Sequence, residues 1–251
     1  MGTTLLIGSC EPFSGKSALV LGIAQQLIQS GLPFRFGKPL ATSLEWDPNK
    51  GPLPQPLIDD DVRFVGETLG LAADHLIPSL HLLSPTTATQ RLGHGQLDAG
   101  EGFDRLSAEV SASDGLTLLE CAGSLQEGLL FGLSLPQLAD GLDAKVVLVH
   151  LWQDSCSVDA LLSAKQILGE RLVGVVLNAV TPDEVESLER QVVPALENLG
   201  LKVFGVMPRS PLLRSVTVGE LVRRLDARVI CCADREELLV ETLSIGAMNV
   251  N

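Results

Sequence analysis

The richest chemistry in this chain is written in one stretch, GSCEPFSGKS, residues 8–17. Gly15, Lys16 and Ser17 fit the end of the phosphate-loop pattern G-x-x-x-x-G-K-[ST], although Cys10 stands where that pattern wants its first glycine. In such a loop the backbone of Cys10, Glu11, Pro12, Phe13, Ser14 and Gly15 wraps an anion, and the N-terminus of the following helix faces it. Lys16 would set its charge on the β- and γ-phosphates, and Ser17 would offer its hydroxyl to Mg²⁺. A chance Gly-Lys-Ser at a strand-to-helix turn is the competing reading. The apolar run before the loop and the helical spacing after it are the context the motif requires.

A Mg²⁺ ion needs carboxylates. Glu120 ends the apolar run LTLLE, where a buried acid requires a metal or water partner. Asp59, Asp60 and Asp61 precede a helical pattern; helix capping explains any one of them, and Asp61 is taken as the second metal ligand. Lys38 follows another apolar run in FRFGKPLATS, placed to neutralise charge during phosphoryl transfer or to hold a substrate carboxylate. Thr42 and Ser43 stand in the loop after it. Asn178 ends VVLN, its amide suited either to an adenine edge or to capping a strand end. The four histidines, His75, His81, His94 and His150, have no ligand spacing. Cys10 and Cys121 both fall in loops at the ligand edge and read more simply as small packing residues.

Something must hold these residues together. Apolar runs at 3–9, 34–39, 116–121, 144–151, 172–178 and 201–206 alternate with helix-like segments at 15–31, 155–168, 182–199 and 217–225. That alternation predicts an α/β fold with a P-loop NTPase-like parallel sheet and helices on both faces, forming one main domain. Ligands of such sheets bind at the carboxyl ends of the strands. Residues 40–58 and 82–100 are rich in Pro, Gly and Ser and are expected to be binding loops or lids. Domains are expected at 1–222 and 223–251, the second starting with a strand, a turn and a helix.

The totals limit the partners. A net charge of −13 in 251 residues argues against nucleic acid, whose phosphates need clustered cations. No apolar run is long enough for a membrane span, and MGTTLLIGSC lacks the basic start of a signal peptide. The five cysteines, without C-x-x-C spacing, suggest neither a disulfide framework nor a zinc site. The expectation is a cytoplasmic protein.

In order along the chain, GSCEPFSGKS, GKPLATS, LLECAGS and VVLNAV resemble the dethiobiotin synthetase family of P-loop proteins. The resemblance is closer still to the dethiobiotin-synthetase-like N-terminal domain of some phosphotransacetylases, through DDDVRF, VVPALENLGLKVFGVMP and LLRSVTVGELVRRL. It covers residues 1 to about 220, and the tail ARVICCADREELLVETLSIGAMNV resembles the opening of the DRTGG domain that usually follows. The family implies ATP and Mg²⁺ as cofactors and a homodimer. It also implies Lys16 and Ser17 on phosphate and metal, Lys38 as the catalytic lysine, and Thr42 as a substrate-holding hydroxyl. Glu120 and Asp61 would bind metal and Asn178 would read adenine. The segment Cys121, Ala122, Gly123 and Ser124 falls where the synthetases carry substrate-lining glycines, and two of those glycines are replaced here, by Cys121 and Ser124. Pro12 stands where related dimeric ATPases carry a signature lysine.

Three functions follow from these residues. The chain is a regulatory ATP-binding module that passes a signal to a C-terminal domain or protein partner; or an enzyme phosphorylating a carboxylate or carbamate; or a scaffold with a vestigial site. The replaced glycines favour the first. The intact Lys16, Ser17 and Glu120 disfavour the third.

Overall fold

The computed structural model describes residues 3–46, 51–95, 97–210 and 215–240. They form two compact units, the first running to Pro208 and the second from Arg209 onward. The expected boundary lay at residue 222; the helix and short strand that follow Pro208 pack with the chain after them instead.

In the first unit, chain order is β1 (Thr3–Ser9), α1 (Lys16–Gln29), β2 (Phe34–Gly37), β3 (Leu40–Ala41), α2 (Asp60–Leu69), β4 (Leu76–Ile77), β5 (His81–Leu82), α3 (Pro85–His94) and α4 (Glu101–Ser111). Then come β6 (Leu116–Glu120), α5 (Leu135–Gly141), β7 (Lys145–Leu151), α6 (Val158–Leu168), β8 (Leu172–Val180), α7 (Val185–Asn198) and β9 (Val203–Pro208). Seven strands form one parallel sheet in the order β4-β2-β6-β1-β7-β8-β9. β3 and β5 pair separately, also in parallel.

Alternation along the strands divides the core. Leu6, Leu119, Val146, Leu148, Val175 and Leu177 point to one face, where α4, α5, α6 and α7 cover them with Leu106, Leu138, Leu161 and Leu188. Their neighbours Ile7, Leu118, Val147, Val149 and Val176 point to the other, against Val20 and Ala24 of α1 and Val62 and Val65 of α2. Both faces are therefore buried, which explains why the strands read as unbroken apolar runs.

Residues 82–100 depart from the loop expected there, because 85–94 is a helix. Ser84 caps it in a capping box with Thr87, Pro85 occupies the first turn, and Gly95 ends it in the left-handed region. α4 and α5 were likewise not assigned from sequence.

In the second unit, β10 (Val216–Thr217) leads into α8 (Val218–Leu225), which Thr217 caps by accepting from the Glu220 N–H. β10 pairs antiparallel with β11 (Leu239–Val240). The strand expected in ARVICC does not form: that segment has no pairing partner, and Ile230 is 88% exposed. The helix expected after it reaches into 241–251, outside the described residues.

Candidate functional site

The strand register assembles the site. Pairing of Gly37 with Leu119 brings Lys38, one residue on, beside Glu120. Pairing of Ile7 with Glu120 sets the phosphate loop on the other side of that acid. On the far flank, Leu151 of β7 pairs with Asn178 of β8. Four strands, β2, β6, β1 and β8, thus bring predicted residues to one carboxyl edge, with β7 between the last two, as the sheet type demands.

The loop itself is built around Gly15, which adopts φ +96 and caps α1, a conformation that costs glycine little. Phe13 also has positive φ and is almost wholly exposed at the tip. Backbone N–H groups from Phe13 to Ser17 donate to no group among the described residues, so they are free to face an anion. Asn178 Nδ2 donates to the Ser14 carbonyl at 2.7 Å. The amide expected to read adenine or to cap a strand end thus holds the backbone of the phosphate loop.

Lys16 is buried, and its Nζ donates to Ser9 Oγ at 3.0 Å. The single hydroxyl hydrogen of Ser9 has two acceptors in reach, the carbonyls of Glu11 at 2.8 Å and Gly123 at 2.9 Å. Burial carries the Lys16 pKa below its usual value, against the nearby charge of Glu120. Ser17 Oγ donates to Glu120 Oε1 at 3.0 Å, while Glu120 Oε2 is buried with no partner among the described residues. Burial pushes the Glu120 carboxyl up to about 7; Lys38, Lys16 and the Ser17 hydroxyl pull the other way, and Asp61 adds to the rise. An orphaned carboxylate oxygen beside a serine hydroxyl fits a hard divalent cation such as Mg²⁺.

Lys38 Nζ lies 2.7 Å from Asp61 Oδ2 and 3.3 Å from Asp59 Oδ1. Burial would lower its pKa, but Asp59, Glu120 and Asp61 hold it above the ordinary lysine value. Of the three aspartates, Asp59 is the cap of α2, fully buried, and accepts from the N–H groups of Asp61, Thr42 and Ser43. Asp61 keeps a side chain 40% exposed at the site. The Ser43 hydroxyl donates to Asp60; Thr42 is exposed.

After β6 the expected substrate wall splits. Cys121 and Ala122 are buried in the core, so their side chains line no open surface. Gly123 and Ser124 remain half-exposed, the first donating its N–H to Glu127 and the second accepting from the Glu127 N–H. A cavity of about 290 Å³ opens beyond Lys38, lined by Ser79, His81, Thr87, Gln90, Arg91 and Phe131 among others. Ser79 ties it to the site by donating to the Lys38 carbonyl at 2.6 Å.

Sequence reasoning missed Ser9, Asp59 as the partner of Lys38, and the surroundings of His150. Ser9 and His150 match no motif, and part of what each meets, Gly123 and Glu11 respectively, comes from another strand's end. Asp59 did carry one, an acid directly before a helix.

Residues 3–217 match the AAA domain family AAA_26, and the chain belongs to that family. It is 30% identical over 220 residues to the ATP-dependent dethiobiotin synthetase BioD of Pseudomonas aeruginosa (strain LESB58), covering 85% of this chain and 92% of that one. It is 25% identical over 272 residues to the phosphate acetyltransferase of Synechocystis sp., and 27% identical over 272 residues to that of Deinococcus radiodurans. Those matches take in 100% and 98% of this chain, which spans only 35% of each acetyltransferase. The resemblance to the dethiobiotin-synthetase-like group is thereby borne out. Among solved structures, chloroplast FtsY from Physcomitrella patens aligns with a TM-score of 0.45 at 13% identity, over 82% of this chain and 58% of that one. No helix among the described residues is long and apolar enough to cross a membrane.

Proposed function

We propose that this AAA_26 member binds ATP with Mg²⁺ at the carboxyl edge of β1, β2 and β6, and that it acts as a nucleotide-responsive module. The observation that carries the reading is the Ser17–Glu120 pair, with Glu120 Oε2 buried and unpartnered beside it. Ser17, Glu120 and Asp61 would hold the metal, which supplies charge neutralisation at the phosphates. Lys16 would exchange Ser9 for a phosphate oxygen, and the free N–H groups of the loop would take the rest of the anion.

A sensing role is favoured over turnover by the region after β6. Cys121 and Ala122 are turned into the core, and Glu127 occupies the Gly123 N–H, so the ground held by substrate-lining glycines in the synthetases is altered. The neighbour receiving the signal would be the second unit or another protein, and a homodimer would suit the family. One observation favours a second reading, phosphorylation of a small carboxylate or carbamate: Lys38 stands charged beside Asp61 and Glu120, next to the cavity at Ser79.

Calorimetric titration of ATP and Mg²⁺ into the full chain, with Lys16→Ala as control, tests the shared premise. Binding of micromolar strength, on the order of −8 kcal/mol, that vanishes in a folded Lys16→Ala variant is expected. No heat from the folded wild-type chain would overturn it. Phosphate release then divides the two readings: turnover that rises with an added carboxylate or amine favours the enzyme, and binding without turnover the sensor.

A further inference from the structure

We propose that Cys10, Glu11 and His150 form a second cation site, for a zinc-class divalent ion, set between the first half of the phosphate loop and the end of β7. One donor atom from each of the three lies within 4.8 Å of the others. They offer sulfur, oxygen and nitrogen, the donor set of zinc and its neighbours; the Ser17, Asp61 and Glu120 set is all oxygen and suits Mg²⁺.

His150 supplies the deciding geometry. Its side chain is 2% exposed, and its Nδ1 is buried without a hydrogen-bond partner among the described residues. Its Nε2 lies 3.0 Å from Ser157 Oγ. The Ser157 hydroxyl has one hydrogen, and that hydrogen is given to the Asp154 carbonyl at 2.6 Å. Ser157 can therefore only accept from His150, which places a proton on Nε2 and, in the neutral ring, a lone pair on Nδ1. A hydrogen bond from the second ring nitrogen is how a metal-binding histidine is oriented.

An oxygen lies close to Nδ1. Nδ1 lies 3.5 Å from Glu11 Oε1, which already accepts the Leu151 N–H at 2.7 Å. Two acceptors this close, one buried and one half-buried, call for a proton or a cation between them. A separation of 3.5 Å is about the edge of a tetrahedron with metal bonds of ~2.1 Å. Cys10 Sγ, held only by a 3.5 Å contact to the Ala160 carbonyl, needs to move by about 1 Å to complete three ligands. A proton shared by Glu11 and His150 would satisfy two of these groups and leave the thiol without a role.

Cobalt(II) is the probe, added with excess Mg²⁺ to the full chain carrying Cys156→Ser, Cys231→Ser and Cys232→Ser, which removes the exposed thiols. One equivalent should bind and give a thiolate-to-cobalt charge-transfer absorption. Adding Cys10→Ser should abolish that band, and adding His150→Gln should weaken binding by at least the roughly 10–100-fold that losing an outer-shell partner costs. Cys10 lies on a partly exposed loop, so its variant keeps the test sound should His150→Gln fail to fold. No band from the folded parent, or a band that survives Cys10→Ser, would overturn the proposal. A His150 ring that titrates as a cation paired with Glu11, without response to cobalt, would overturn it as well.

Discussion

Lys38 and Asp59 meet at 3.3 Å with neither side chain open to solvent. The same carboxylate caps α2 and accepts the N–H groups of Thr42 and Ser43. One acid thus sets a helix start, the path of the chain after β3 and the charge state of a lysine. Asp61 contacts Lys38 from the solvent side and stays accessible to a ligand.

The two aspartates should therefore separate stability from binding. Asp59→Ala leaves a buried lysine half-paired and orphans three backbone donors, a loss of roughly 3–5 kcal/mol. At about 2–4 °C per kcal/mol, the melting temperature should fall on the order of 10 °C. Asp61→Ala removes an exposed partner and should cost at most about 1 kcal/mol, yet weaken Mg²⁺-dependent ATP binding. Thermal melts and calorimetry on both variants check this; equal melting losses would refute the division.

Gly15 and Asn178 are coupled through space. A Cβ on Gly15 would run into the Asn178 amide, and its φ of +96 strains any side chain. Gly15→Ala should lower ATP affinity and stability, and should do so less in an Asn178→Ala background, where the collision is gone and only the strain remains. A coupling of about 1 kcal/mol in the double-mutant cycle is expected; strict additivity would show that the loop does not lean on Asn178.

Glu120 makes stability depend on pH in a sign opposite to a salt-bridged acid. Its carboxyl titrates at about 7 in the native chain, against an ordinary value of 4.5. Between those values the folded chain keeps a proton that the unfolded chain has lost, so stability falls as pH rises through that window and levels off above it. Glu120→Gln should flatten this slope, and saturating Mg²⁺ should reduce it by binding the ionised form. In the wild-type chain Mg²⁺ affinity should climb by up to about tenfold per pH unit below 7. Denaturant midpoints with and without Mg²⁺ at several pH values would measure it, and a pH-independent difference between wild type and Glu120→Gln would count against it.

Thiol labelling reads the burial of the cysteines. Cys156, Cys231 and Cys232 are exposed, whereas burial pushes both Cys10 and Cys121 up to about 12, with Glu11 adding to the rise at Cys10. A disulfide reagent near neutral pH should modify the three exposed thiols quickly, the half-buried Cys10 slowly and Cys121 only on unfolding. Rapid labelling of a fourth would mean that the phosphate loop opens in solution.

The sheet was legible because its strands are covered on both faces and so lack polar interruption; β1, β6 and β8 follow runs such as TTLLIGS, LTLLE and LVGVVLN. α3 was not, since Pro85 and the threonines read as loop, although Ser84 and Pro85 are a helix start when taken together. In the site, Lys16, Ser17, Lys38 and Glu120 announced themselves through motif and strand-end position. The contacts of Ser9 with Gly123, His150 with Glu11 and Asn178 with Ser14 join chain segments far apart in sequence, the last across 164 positions. No local pattern records such contacts.

The hydrogen bond from Lys16 to Ser9 has a bearing on how a ligand is captured. A long side chain free in water surrenders rotational freedom when it closes on an anion, at a cost of up to about 2 kcal/mol. Here that freedom was given up when the chain folded, so arrival of a phosphate is a swap of one oxygen for another at a nitrogen already in place. Ser9→Ala, which releases the lysine, should leave the bound state's contacts as they are and make association more entropically opposed. The resting serine is a mould of the ligand, kept filled until the ligand comes.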